Sequence, residues 1–201
     1  MTLTLSGPAD LEYTDALHAA WDEAKTLPPS RMGLVGYGIA HLLDGDGHTK
    51  QLVPFANTIT DAGDTYVAGK IIAAIAPASP AAPTAASGMK LGTGTTAVNK
   101  AAGTGIALTT YLTASNLAFD ATYPQTATLG TNLGTNAVYR TTWAAGVATS
   151  ATINEVVIVN DAATNATTTS ANTYSRAVIT TVNKGASDSL VITWNWKALG
   201  A

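Results

Sequence analysis

The sequence predicts a mainly β protein, an antiparallel β-sandwich over residues 88–201 behind a smaller α/β region over 1–75. Three observations carry this. In "GASDSLVITWNWKALGA", Leu190, Ile192, Trp194 and Trp196 alternate with Val191, Thr193 and Asn195, the period of a strand with one bulky aromatic face. Six more short strand-like runs follow residue 88 with turn chemistry, not helical periodicity, between them. Between the two regions, "APASPAAPTAAS" (76–87) holds three prolines and reads as an extended linker.

In chain order, the first element expected is a helix over 9–27. Tyr13, Leu17, Trp21 and Ala24 make an apolar stripe, Asp10 and Glu12 suit the helix start, and Pro28-Pro29 stops it. "GLVGYGIAHLL" and "HTKQLVPF" flank an Asp-Gly-Asp-Gly turn and predict a hairpin. A second helix is expected over 62–76, with Gly69 a weak point inside it. The strands expected beyond the linker cover 89–93, 106–114, 125–129, 137–145, 152–160, 174–182 and 189–197. Gly, Asn, Thr and Ala fill the connections, the longest of them running over 161–173.

Composition narrows the function classes. Only 11% of the 201 residues are charged, against roughly a quarter in an average soluble domain. Net charge is −3, which argues against a general nucleic-acid binder. Nine acids and three bases lie in residues 1–64, four acids and seven bases in 65–201. There is no cysteine, so disulfides and thiolate metal sites are excluded. No apolar run approaches the ~18 residues of a membrane helix, and "MTLTLSGPADLEY" lacks the marks of a signal peptide. Threonine is the outlier, 33 residues of which 24 follow residue 90. A neutral, small, hydroxylated surface suits a protein that packs against other subunits.

Motifs for chemistry are few. Asp44, Asp46 and His48 alternate in "DGDGH", but an EF-hand loop needs a further oxygen ligand where His48 stands and a Glu where Phe55 stands. The plainer reading is a hairpin turn, and no metal or cofactor is expected. "KLGTGTTAVNK" (90–100) lacks the Gly-Lys-Ser/Thr of a phosphate loop. His18, His41 and His48 have no G-x-S-x-G serine to serve. Glu155 is the one acid inside a strongly apolar strand, and an outward-facing or Arg-paired residue, with Arg140 and Arg176 the candidates, is expected ahead of catalysis. Asn165-Ala166-Thr167 matches a glycosylation acceptor in a Thr-rich loop where chance matches are common. The residues point away from an enzyme.

Three stretches, "LGTGTTAVNKAAGTGIALTTYLTASN", "YRTTWAAGVATSATINEVVIVND" and "SRAVITTVNKGASDSLVITWNWKALG", resemble structural proteins from the virion gene clusters of tailed bacteriophages. The stretch "QLVPFANTITDAGDTYVAGKIIA" is also similar to what precedes that module. The resemblance implies a jelly-roll-like sandwich in a virion, assembled in the host bacterial cytoplasm. It further implies an oligomer, plausibly a trimer, whose partners are the major capsid protein or other virion subunits. The expected role is non-enzymatic capsid decoration or minor-capsid function, with a tail-fibre or baseplate component as the alternative. Tyr13, Leu17 and Trp21 are then candidate interface anchors, unless the helix packs them on its own domain. Neither a nucleic acid nor a membrane is expected as partner.

Overall fold

A computed structural model describes residues 8–24, 34–75, 84–100, 103–128 and 135–198. Among the described residues, two α-helices, α1 (Pro8–Ala24) and α2 (Asp61–Ile75), accompany nine strands. The strands are β1 (Leu34–Leu43), β2 (Thr49–Ile59), β3 (Gly88–Gly92), β4 (Leu117–Ala118), β5 (Gln125–Thr128), β6 (Thr135–Trp143), β7 (Ser150–Val159), β8 (Thr173–Lys184) and β9 (Ser189–Ala198). All observed pairings are antiparallel, in the order β4-β3-β7-β8-β2-β1-β9-β6-β5. The mainly β class therefore stands.

The strands do not separate into two facing sheets as the sandwich expectation required. They form one curled sheet, a half-barrel, whose halves are laddered at one seam and touch through single hydrogen bonds at another. At the first, β2 meets β8 through Thr58↔Arg176 and Ile59↔Ser175. The second seam is residues 117–120. Leu117 and Ala118 pair with β3, while the Asp120 amide donates to the Arg140 carbonyl on β6 at 2.8 Å. Asp120 also accepts from the Thr142 amide (2.9 Å) and hydroxyl (2.7 Å) and lies 2.9 Å from Arg140 Nε.

The expected boundary at 76–87 does not divide the sheet either. The β1–β2 hairpin, read from sequence as part of the region over 1–75, lies in its middle, with β1 paired to β9 over ten residues from Leu34↔Ala198 to Leu43↔Ser189. Residues 76–83 of the proposed linker lie outside the described residues. Its last part, 84–87, is tied down, since the Ser87 amide donates to the Val159 carbonyl and the Tyr174 hydroxyl to the Thr84 carbonyl.

Inside the curl, Ala40, Phe55, Leu91, Trp143, Val156, Ile192, Trp194 and Trp196 share one core. Trp194 meets Phe55 edge-on at 5.1 Å, and its indole N–H donates to Asn57 Oδ1 at 2.6 Å. Asn57 passes the chain on to Ser175, whose hydroxyl donates to the Thr58 carbonyl. Gly36 makes room for this, because a Cβ there would lie 2.0 Å from Asn57 Oδ1. From α2, Tyr66 stacks on Tyr174 at 4.6 Å and meets Trp196 edge-on.

The outer face carries two separate coverings. Over β1 and β2, α1 buries Leu17, Ala20 and Ala24 against Tyr37 and Ile39 in a cluster of its own. Over β3, β7 and β8 lie the long excursion between β3 and β4 and the loop between β7 and β8, where Leu108 and Ala162 pack on Val157 and Val159. The strand expected over 106–114 is absent. Only Tyr111 makes a bridge, to Gly92, and the segment packs across the sheet instead of extending it.

Candidate functional site

The loop layer over β3, β7 and β8 brings together Glu155, Arg176, the 90–100 segment and Asn165 of the residues that the sequence singled out. Its foundation is Glu155 on β7, fully buried and facing outward. Arg176, on β8 opposite Val157 and also fully buried, reaches diagonally and donates to Glu155 Oε2 from Nη2 (2.6 Å) and Nε (3.1 Å). Of the two arginines expected to pair with this acid, Arg176 does so; Arg140 instead sits beside Asp120 and over the Tyr123 ring.

The pair also binds the excursion. Glu155 accepts from the backbone amides of Gly94 (3.0 Å), Thr109 (3.1 Å) and Thr110 (2.9 Å), and Arg176 donates to the carbonyls of Gly105 and Thr96, both at 2.9 Å. An irregular segment satisfies only part of its own backbone, as in the bond from the Asn99 amide to the Gly105 carbonyl, and a buried carboxylate and a five-donor guanidinium supply more from below. This leaves Glu155 with no lone pair directed at solvent, and a general acid or base needs one within reach of a substrate.

A second staple holds the neighbouring loop. Lys90, on β3 within the segment tested as a phosphate loop, is fully buried and donates to the Ala166 carbonyl at 3.0 Å, with Asp161 Oδ1 at 3.1 Å. Asp161 in turn accepts from the Thr168 hydroxyl and the Asn172 amide group. Asn165 Oδ1, part of the glycosylation match, accepts from Tyr111 Oη (2.7 Å) and the Ala114 amide (2.9 Å), linking loop to excursion. Between the two loops lies a shallow cleft of about 490 Å³, bordered by Gly103–Thr109 on one side and Thr168–Ser170 on the other.

The remaining candidates lie elsewhere. Asp44, Asp46 and His48 place one ligand atom each within 4.8 Å of the others. Asp44 Oδ1, however, accepts from the amides of His48 (2.9 Å) and Asp46 (3.0 Å), which closes the hairpin turn. Those bonds, the His48 amide foremost, hold the Asp44 carboxyl below its ordinary pKa. His41 shares a hydrogen bond with the Thr49 hydroxyl, and burial lowers its pKa; His18 is exposed on α1.

The candidate anchors face their own sheet. Leu17 is buried, the Trp21 ring lies 5.3 Å from Tyr37 with Lys197 Nζ 4.4 Å above it, and Tyr13 bonds to Thr193 beside His41. Burial there pushes the Tyr37 hydroxyl up to about 12.

Sequence reasoning missed Lys90, Lys184 and Asp120. Lys184 is fully buried and donates to the Ala144 carbonyl, and Asp188 accepts from Lys50 and the Gly185 amide. Among the described residues, each buried charged side chain has such a partner; Asp64, bonded to Lys100, completes the set. The available signal was lysine in an apolar strand next to a loop rich in backbone with nothing to bond. No family model, curated protein or solved structure matches the chain.

Proposed function

We propose that this chain is a non-enzymatic structural subunit of a tailed-bacteriophage virion, a capsid decoration or minor capsid protein acting by surface burial. The observation that carries the reading is how charge is used. The buried acids and bases are spent on holding loops, and the exposed residues of the loop layer are threonine, serine, alanine, glycine and asparagine, all uncharged. A surface already ordered before contact loses little entropy on docking, so even small contact areas contribute, and repetition around a shell multiplies them. The phage resemblance of the sequence supports the same reading.

Counting copies per particle tests it, by mass spectrometry of purified virions together with gold-labelled antibody. Many copies over the head are expected. Absence from virions, with no binding of the purified chain to capsids, would sink the proposal. A few copies at the tail tip would move the role to the fibre or baseplate reading, which the cleft between the two loops favours.

A further inference from the structure

We infer that the cleft between residues 103–109 and 168–170 is a binding site for a neutral oligosaccharide, an inference that goes beyond the virion reading and does not depend on it. The lining supplies both halves of what a sugar offers. Thr96, Thr104, Thr169 and Ser170 bring hydroxyls, and Ala107 with the outer edges of Ile106 and Leu108 brings aliphatic surface for the C–H faces of a pyranose ring. No titratable residue lines it, so neither an anionic nor a cationic ligand finds a counter-charge. The nearest guanidinium, Arg176, is fully buried and uses its donors on Glu155 and on carbonyls of the cleft's own wall.

Two further features suit a site rather than a surface dent. Thr104, Thr169 and Ser170 are exposed, and their hydroxyls have no internal partner among the described residues. Both walls are fixed from below, one by Glu155 and Arg176 and the other by Lys90 and Asp161, so the hydroxyls are presented without an ordering cost at binding. The volume falls within the range of small-ligand sites.

The test is NMR titration of the full chain with two neutral probes, chitotetraose and maltoheptaose. Saturable shifts of amides in 103–109 and 168–170 with at least one probe are expected. The variants Thr104→Val and Ser170→Ala each remove one hydroxyl from an exposed position and should weaken binding roughly 2- to 10-fold. Thr180→Val, exposed on β8 away from the cleft, should leave affinity unchanged. Lack of saturable shifts with either probe at about 10 mM, beyond the millimolar range of weak single-site binding, would overturn the inference. So would shifts centred elsewhere, or affinity unchanged in both cleft variants. Because the measurement uses the purified chain, its failure is separable from absence of the protein from virions.

Discussion

The two coverings of the sheet's outer face are held by opposite means. Where α1 lies over β1 and β2, the contact is apolar: Leu17, Ala20 and Ala24 on Tyr37 and Ile39, edged by aromatic rings. Where the loops lie over β3, β7 and β8, three fully buried charged side chains, Glu155, Arg176 and Lys90, do the holding. The difference follows from the backbone. A helix bonds its own amides and carbonyls and needs only an apolar stripe to dock. An irregular loop arrives with unsatisfied groups, and the sheet beneath must supply donors and acceptors of matching sign. The charge buried beneath these loops is thus a response to loop backbone.

Four measurements break or sharpen that contrast. The largest effect is expected from Arg176→Met, which leaves Glu155 buried without a counter-charge, takes the guanidinium donor from the Thr96 carbonyl and leaves the Gly105 carbonyl with the Asn99 amide alone; about 3–5 kcal/mol of stability should be lost in urea melts. Hydrogen exchange should speed up at Gly94, Thr109 and Thr110, with α1 unaffected. The mirror experiment is Leu17→Ala. It should cost about 2 kcal/mol and loosen α1 while the loop amides keep their protection. If either variant loosens both coverings equally, they are not independent.

Asp120→Asn probes the seam rather than the coverings. Its ion pair with Arg140 is partly exposed and contributes little, so the expected loss is about 1 kcal/mol, from weaker bonding to Thr142. The smallest effect concerns pH. Bonds from Lys50 and from the Gly185 amide hold the Asp188 carboxyl below its ordinary 3.8. A depressed carboxyl stabilises the fold fully above its ordinary value, and the contribution fades as pH falls through the lower, folded one. Thermal melts of Asp188→Asn should therefore depend less steeply on pH below about 4 than melts of the parent chain.

Much of this fold was legible because strand period and burial agree. The inward set Leu190, Ile192, Trp194 and Trp196 is buried as the alternation indicated, and the hairpin around Asp44–His48 stands where its glycines placed it. Period says nothing about partners, however. That β9 pairs with β1, some 150 residues earlier, cannot be read from either strand alone, and this pairing is what turned an expected sandwich with an appendage into one curled sheet. The segment 106–114 misled for a related reason. Ile106 and Leu108 are buried as an alternating strand would bury them, but Gly105 at φ +91° turns the chain, and the amides of Thr109 and Thr110 go to Glu155 instead of a ladder. Glu155 itself stood out in sequence; its use became visible only when the excursion was seen above it. The Thr-rich loop over 161–173 was visible in sequence, but its partner wall was not, since the cleft's hydroxyls belong to two loops that are about sixty residues apart.

The position of β9 between β1 and β6 has a consequence for synthesis. Those neighbours are complete by residue 143, yet both keep an unpaired edge until residues 189–198 emerge from the ribosome. For that interval the nascent chain carries two apolar strand edges, the kind of template on which strangers pair. Folding must also close a loop spanning most of the chain before its central ladder exists, a slow step for any β topology. The two tryptophans near the end of the sequence are therefore the last part of the core to arrive.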